Sequence, residues 1–222
     1  SGTAYGSQQS FTTVSPNPVL SVTTLNSFGA GCLNTAAGPS SFTIPGSNLS
    51  SAAVTIAALD GYTYSSTAGG TYTSTLSITQ TGGSFSQQVF VKFTPTAVQS
   101  YNGTISVAGG GVSTAVTVAA SGSGINTAPT VTSGVSSGIS GSAATLAGAI
   151  TANGCTPISA YGIEYSTTNS FVNGTGTRVA STNLASGNYT SSLTGLSAST
   201  TYYYKAYATN SGGTSYGSQQ SF

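Results

Sequence analysis

The segment Leu196-Ser-Ala-Ser-Thr-Thr-Tyr-Tyr-Tyr-Lys-Ala-Tyr-Ala-Thr-Asn210 decides the fold of the C-terminal half of this chain. From Tyr202 onward its residues follow a period of two, which is typical of a β-strand with one buried face. We therefore expect the even-numbered side chains from Tyr202 to Ala208 to face a core. The odd-numbered side chains from Tyr203 to Tyr207 should then point outward.

The rest of the chain has the same character. Short runs in which Val, Ile, Tyr and Phe alternate with Thr and Ser are separated by clusters of Gly, Asn, Ser and Pro, a pattern that predicts strands and turns. Hydrophobic residues make up 37% of the sequence, which favours a folded core over disorder. The sequence predicts an all-β protein without helices.

Two proline-containing stretches, Ser15–Pro18 and Ser123–Pro129, interrupt the strand pattern and indicate joints. They divide the chain into residues 1–14, 15–123 and 124–222. The two larger parts have the usual size of a domain, about a hundred residues each. We expect two tandem β-sandwiches, preceded by a strand and a linker.

The segment quoted above resembles the E–F corner and F strand of a fibronectin type III domain, in which a leucine precedes a corner tyrosine by six residues. Here Leu196 precedes Tyr202. Residues 129–222 are similar to the fibronectin-like repeats of giant secreted surface proteins of Bacteroidota. Residues 41–122 resemble the immunoglobulin-like repeats of the same proteins, through the stretches Phe42–Leu49, Val89–Pro95 and Tyr101–Val107. The resemblance implies an Ig-like sandwich followed by a fibronectin type III-like one.

A sequence repeat joins the two ends of the chain. Residues 1–11 return as residues 212–222, with differences only at Ser1/Gly212 and Ala4/Ser215, and Tyr5 and Tyr216 set a period of 211 residues (216 − 5). We expect a part of a long tandem array that begins with the last strand of the preceding repeat. The alternative is a polymer of separate subunits, in which the N-terminal strand of one chain completes the sheet of another.

Composition excludes most chemistry. Charged residues are 2% of the chain and histidine is absent, so general acid–base catalysis lacks its usual groups. Two cysteines and two carboxylates cannot form a zinc or calcium site. Three basic residues cannot form a phosphate-binding stripe, and no apolar run is long enough to span a membrane. We expect a protein that is not an enzyme, has no cofactor or metal, and binds no nucleic acid.

The two cysteines, Cys32 and Cys155, are expected to form a disulfide. In Ig-like sandwiches the loop that carries Cys32 lies at the end where the chain leaves the first domain. The loop of Cys155 lies at the end where the chain enters the second. A bridge would therefore make the joint rigid. Two free thiols, or a bridge to a neighbouring chain, are the alternatives.

Glu164 and Lys205 are predicted to pair across neighbouring strands. Glu164 lies in Tyr161–Tyr165, at the place of strand C, with the outward parity. An exposed pair of this kind contributes only about 0.2–1 kcal/mol. An amide crosslink between a lysine and an asparagine beside a buried carboxyl is the alternative, and the outward parity favours the ordinary ion pair.

These features predict a structural repeat of a long extracellular fibre or cell-surface adhesin, a rigid stalk secreted from the cell. Its partners would be neighbouring repeats or identical subunits. The alternative is a module that binds carbohydrate or another surface, because exposed aromatic rings can stack on sugars. The tyrosines considered for that role are Tyr203, Tyr207, Tyr62, Tyr64 and Tyr72.

Overall fold

The computed structural model describes residues 1–222 and contains strands but no helix. In chain order the strands are β1 (Val19–Leu20), β2 (Ala30–Cys32), β3 (Ala37–Leu49), β4 (Val54–Ile56), β5 (Tyr62–Ser65), β6 (Leu76–Ile78), β7 (Gly83–Phe93), β8 (Gly103–Gly109), β9 (Val116–Ala120), β10 (Ser123–Ile125), β11 (Thr130–Ser137), β12 (Ala143–Ala152), β13 (Ala160–Ser166), β14 (Thr177–Ala180), β15 (Asn188–Thr194), β16 (Tyr203–Asn210), β17 (Gly213–Tyr216) and β18 (Gln220–Ser221). The chain divides into two compact units.

The first unit comprises residues 1–29, 36–94 and 100–123. Its two sheets have the strand orders β1-β3-β7-β5 and β6-β4-β8-β9, and neighbouring strands are antiparallel. Alternate side chains of each strand enter one core, as a period of two requires. The core includes Phe42 and Ile44 from β3, Val89 from β7, and Ile105 and Val107 from β8.

The second unit comprises residues 30–35, 95–99 and 124–222. Its sheets have the orders β11-β12-β15 and β14-β13-β16-β17, and β18 also pairs with β16. Leu146, Ile163, Tyr204 and Ala206 lie in its core. A fibronectin type III-like sandwich packs a sheet of three strands on a sheet of four main strands, and this unit has that arrangement. The predicted fold class is therefore confirmed.

The division by contacts differs in one respect from the boundaries expected from the sequence. Residues 30–35 and 95–99, which lie within the predicted first sandwich, belong to the second unit. Strand β10 pairs with β2, and Leu33 N donates a hydrogen bond to Ile125 O at 3.1 Å. The proline-containing stretches indicate where one domain ends along the sequence. The unit to which a loop belongs is decided by the distant segments with which the loop pairs.

Residues 1–18 form no strand in this chain, and the assignment of residues 1–14 to the last strand of a preceding repeat stays a prediction. The side chains of Tyr5, Phe11 and Val14 are 91%, 89% and 90% exposed. A β-strand is stable only when its backbone donors and acceptors are paired with another strand. The N-terminal segment has strand-forming residues but pairs with no sheet edge of this chain.

Candidate functional site

The last eleven residues, 212–222, complete the second unit, and we call them the closing strand. Strand β17 pairs with β16 from Tyr207↔Tyr216 to Asn210↔Gly213. Strand β18 pairs further along β16, where Ser221 faces Tyr203 and Gln220 faces Tyr204. At the chain end, Tyr202 and Phe222 exchange two backbone hydrogen bonds of 3.0 and 3.1 Å. The closing strand is therefore held along its whole length.

Aromatic rings anchor the closing strand at both ends. The Phe222 ring stacks on Tyr202 with 5.6 Å between centroids and an angle of 17°, and it lies 6.0 Å from the Tyr204 ring. Near the other end the Tyr216 ring lies 6.3 Å from the Tyr207 ring. Aromatic pairs at these distances contribute about 0.5–1.5 kcal/mol beyond their buried area.

Gly217 allows the closing strand to pass close to strand β11. A Cβ atom at this position would lie 2.4 Å from Ser133 N and 2.6 Å from Ser133 Oγ. The backbone of Gly217 donates to Ala206 O at 2.9 Å, so the position cannot move away without losing a sheet hydrogen bond. Any side chain at residue 217 would force the strand or β11 to shift.

A buried carboxylate lies beside the closing strand. Glu164 on β13 is fully buried, and its Oε1 accepts hydrogen bonds from Gly174 N at 2.7 Å and Gly176 N at 2.9 Å. Its Oε2 accepts a hydrogen bond from Arg178 Nε at 2.9 Å in an ion pair. Arg178 in turn donates to the Tyr216 hydroxyl, so the carboxylate is connected to the closing strand.

Glu164 therefore corrects the predicted exposed pair. Its parity is outward, but residues 171–176 cover this face of the sheet and exclude water. Burial is the largest influence on the pKa of Glu164 and raises it. The hydrogen bonds from Gly176, Arg178, Tyr216 and Gly174 together outweigh burial, so the pKa lies below its ordinary value of 4.5.

The predicted partner of Glu164, Lys205, is its register neighbour on β16 but makes no ion pair with it. Lys205 Nζ donates to Phe171 O and to Asn173 Oδ1, each at 2.8 Å, and lies 4.5 Å from the centre of the Phe171 ring. Lys205 thus holds the segment that covers Glu164. The hydrogen bond between Lys205 and Asn173 lies beside the buried Glu164 carboxylate, and an amide crosslink between these two side chains stays a prediction.

Sequence reasoning missed Arg178, although a signal was present. Strands β13 and β14 are consecutive and antiparallel, and their register places Arg178 directly opposite Glu164. Opposite charges at facing positions of adjacent strands are a common stabilising pair. The Arg178 guanidinium also lies over the Tyr207 ring, 4.9 Å from its centre. Tyr207 is consequently buried on the face that was predicted to be exposed.

Cys32 and Cys155 form a disulfide with a Cα–Cα distance of 5.3 Å, and no cysteine is free. The bridge lies within the second unit and attaches residues 30–35 to the loop between β12 and β13. Nearby, the buried Asn210 side chain donates to Thr127 O at 3.0 Å and to Asn153 O at 2.8 Å. Nothing in the sequence pattern indicated this role of Asn210.

The tyrosines considered for carbohydrate binding do not form an exposed surface. Tyr62, Tyr64 and Tyr207 are 2%, 0% and 5% exposed, which corrects the expectation that they face solvent. Tyr203 and Tyr72 are half-buried. The Tyr62 hydroxyl donates to Tyr101 O at 3.0 Å, and burial raises its pKa to about 12. Tyr62 and Tyr64 belong to the core of the first unit, and Tyr207 packs against Tyr216 of the closing strand.

The remaining charged groups do not form a reactive cluster. Lys92 Nζ lies 4.3 Å from the centre of the Tyr72 ring, and Asp60 is exposed. Asp60 and Lys92 form no ion pair. No group of three or more His, Cys, Asp or Glu side chains could hold a metal ion. No helix is long and apolar enough to cross a membrane.

Comparisons with known proteins return structures of Ig-like and fibronectin-like domains. The chicken CNTN1 FN1-FN3 domains are 16% identical, with 87% of this chain and 62% of that chain covered and a TM-score of 0.32. The titin domains z1z2, in complex with telethonin, are 13% identical, with 94% and 96% covered and a TM-score of 0.44. The chain thus spans less than two thirds of the CNTN1 structure.

No family model matches the chain, and no curated protein is similar to it. The sheet order, the paired closing strand and the two separate cores define its class: an all-β protein of tandem Ig-like sandwiches.

Proposed function

We propose that this chain is one period of a tandem array that forms a long extracellular fibre or the stalk of a cell-surface adhesin. The observation that carries the proposal is the recurrence of the closing strand. Residues 1–11 have the sequence that completes the second unit, one period of 211 residues before the closing strand itself. In a tandem array they are the closing strand of the preceding repeat.

Cysteine oxidation and surface composition support an extracellular location. Disulfides persist in secreted and cell-surface proteins and are rare in the cytosol. The Cys32–Cys155 bridge spans 123 residues of sequence, for which the chain-entropy model gives about 5 kcal/mol of stabilisation. A surface rich in hydroxyl groups, with 2% charged residues, makes association nearly independent of salt. Both properties suit a fibre exposed to changing surroundings.

The role we propose is mechanical and not catalytic. The closing strand is antiparallel to β16 and is held by hydrogen bonds and by two aromatic anchors. The disulfide holds residues 30–35 to the second unit covalently. We propose that it makes the joint of each period rigid, so that each period adds a constant length. The carbohydrate-binding alternative is not favoured, because three of its five tyrosines are buried.

The test is to express chains of one, two and three periods and to measure their maximum dimension by small-angle X-ray scattering. We expect each added period to extend the particle by an equal increment of about 70–80 Å, from strands of about 25 Å in two sandwiches plus joints. The control replaces both cysteines, Cys32→Ser and Cys155→Ser, and should give smaller and less uniform increments. Particles that become compact as periods are added would contradict the fibre proposal.

A further inference from the structure

Residues 1–11 carry the same side chains that dock the closing strand, apart from the two differences at Ser1 and Ala4. We propose that this segment is a second closing strand that can complete the second unit of another copy of this chain. The inference concerns the partner of the chain and is separate from the fibre role. A fibre could form from tandem repeats even if their closing strands did not interchange.

The contacts of the closing strand show which interactions the equivalent residues of the N-terminal segment could make. Phe222 stacks on Tyr202, and Phe11 is its equivalent. Tyr216 accepts a hydrogen bond from Arg178, and Tyr5 is its equivalent. Gln219 Nε2 donates a hydrogen bond to Asn169 Oδ1 at 2.8 Å, and Gln8 is the equivalent of Gln219. The hydroxyls of Thr214 and Thr209 share a hydrogen bond of 2.8 Å, and Thr3 is the equivalent of Thr214.

The strictest requirement of the acceptor edge is also met. The edge tolerates only glycine at position 217, where a Cβ atom would lie 2.4 Å from Ser133 N. Gly6 occupies that place in the N-terminal segment. A chance similarity in strand-forming residues would not require a glycine at this point of close approach. The match therefore extends to the shape of the groove as well as to its hydrophobic anchors.

The two differences between the segments fall where a strand from another copy can accept them. Ser215, replaced by Ala4, makes no side-chain hydrogen bond in the closing strand. Gly212, replaced by Ser1, belongs to the tight turn that links β17 to β16, where a Cβ atom would lie 2.5 Å from Thr127 C. A strand donated by another chain needs no such turn, so its fit begins at Gly2.

The N-terminal segment is unpaired and exposed in this chain. Tyr5 and Phe11 are 91% and 89% exposed, and nothing lies within 4 Å of a Cβ placed on Gly6. Two exposed aromatic side chains on an unpaired strand sequence are the features of a strand that adds to a sheet edge. In the intact chain the closing strand holds its own edge because its effective concentration is high. A copy with a vacant edge is the acceptor.

The experiment uses the chain truncated after Ser211, which retains residues 1–11 and vacates the edge. We expect head-to-tail polymers in sedimentation velocity, because a donor and an acceptor at different places on one molecule form an open assembly. The intact chain under the same conditions should remain unassembled. Truncated chains that also carry Gly6→Val and Phe11→Ala should not polymerise.

A peptide experiment covers the case in which truncation prevents folding. The truncated Gly6→Val, Phe11→Ala chain is refolded with a peptide of residues 1–11, of residues 212–222, or of residues 1–11 with Gly6→Val. The first two peptides should slow amide exchange in residues 203–210 at least about tenfold, and the third should not. The proposal would be overturned if the peptide of residues 212–222 slowed amide exchange in residues 203–210 and the peptide of residues 1–11 did not. It would also be overturned if neither of these two peptides slowed the exchange. A truncated chain that stays monomeric with residues 1–11 unprotected would also overturn it.

Discussion

Residues 1–11 and 212–222 are nearly the same sequence in two different states. In the closing strand, Phe222 stacks on Tyr202 and Gly217 lies against Ser133. In the N-terminal segment, Phe11 is 89% exposed and Gly6 has no neighbour. Local strand preference is the same for both. The difference teaches that a sheet edge, and not the preference of the residues, decides whether this sequence is a strand.

The same comparison shows why the second unit depends on its last residues. The closing strand covers the edge of β16 and brings Tyr216 to Arg178, which holds the buried Glu164 carboxylate. Substitutions in residues 212–222 should therefore destabilise the second unit. The equivalent substitutions in residues 1–11 should leave the intact chain unchanged, which makes each pair of variants its own control.

The largest difference is expected for the terminal aromatic residue. Phe222→Ala should lower the free energy of unfolding of the second unit by about 3 kcal/mol, because it removes the stack on Tyr202 and Tyr204. Phe11→Ala should change it by less than about 0.5 kcal/mol. Urea unfolding followed by tyrosine fluorescence measures both, and hydrogen exchange of residues 203–210 locates the effect. Equal effects of the two variants would contradict the comparison.

The glycine at the close approach should give the next largest difference. Gly217→Val should cost about 2 kcal/mol, because its side chain meets the backbone of Ser133. Gly6→Val should have no measurable effect in the intact chain. Thermal unfolding monitored by circular dichroism gives the comparison. A Gly217→Val chain as stable as the natural one would mean that the edge is wider than the contacts indicate.

Acid should weaken the second unit through Glu164. Its pKa is lower in the folded chain than the ordinary value of 4.5, so its stabilisation is complete above that value and is lost as pH falls through the folded pKa. Glu164→Gln should cost about 1.5–2 kcal/mol at neutral pH and remove this dependence.

The chain is well suited to the acid measurement, because it has two acidic side chains and no histidine. Asp60→Asn, at the other acidic residue, is the matched control and should leave the acid dependence in place. The free energy of unfolding is measured in urea between neutral pH and pH values below the ordinary carboxyl pKa. An acid dependence that persists in Glu164→Gln would assign it to another group.

The smallest difference concerns one hydroxyl group. Tyr216→Phe removes the hydrogen bond from Arg178 and should cost about 1 kcal/mol. Tyr5→Phe should cost nothing, since Tyr5 is 91% exposed. The same urea titrations measure both variants. If Tyr216→Phe matches the natural chain, Arg178 is held by Glu164 alone.

Some side-chain positions followed from the sequence. The period of two from Tyr202 correctly placed Tyr204, Ala206 and Ala208 in the core. The same period placed Tyr207 on the opposite face, and the parity of Tyr161–Tyr165 placed Glu164 there. Neither pattern predicted that these side chains are buried, because periodicity gives the direction of a side chain and not what covers it. The covering segment, residues 171–176, lies between two strands and has no periodic pattern of its own.

The sequence by itself determined the all-β class, the interior face of β16 and the duplication of the closing strand. These three features follow from patterns among neighbouring residues or from a direct repeat of the sequence. Only the tertiary structure decided that residues 212–222 are paired while residues 1–11 are not, and that Glu164 is buried beside Arg178. The physical reason is the same in both cases. Pairing and burial depend on which distant backbone lies alongside a residue, and a strand sequence does not specify its neighbour.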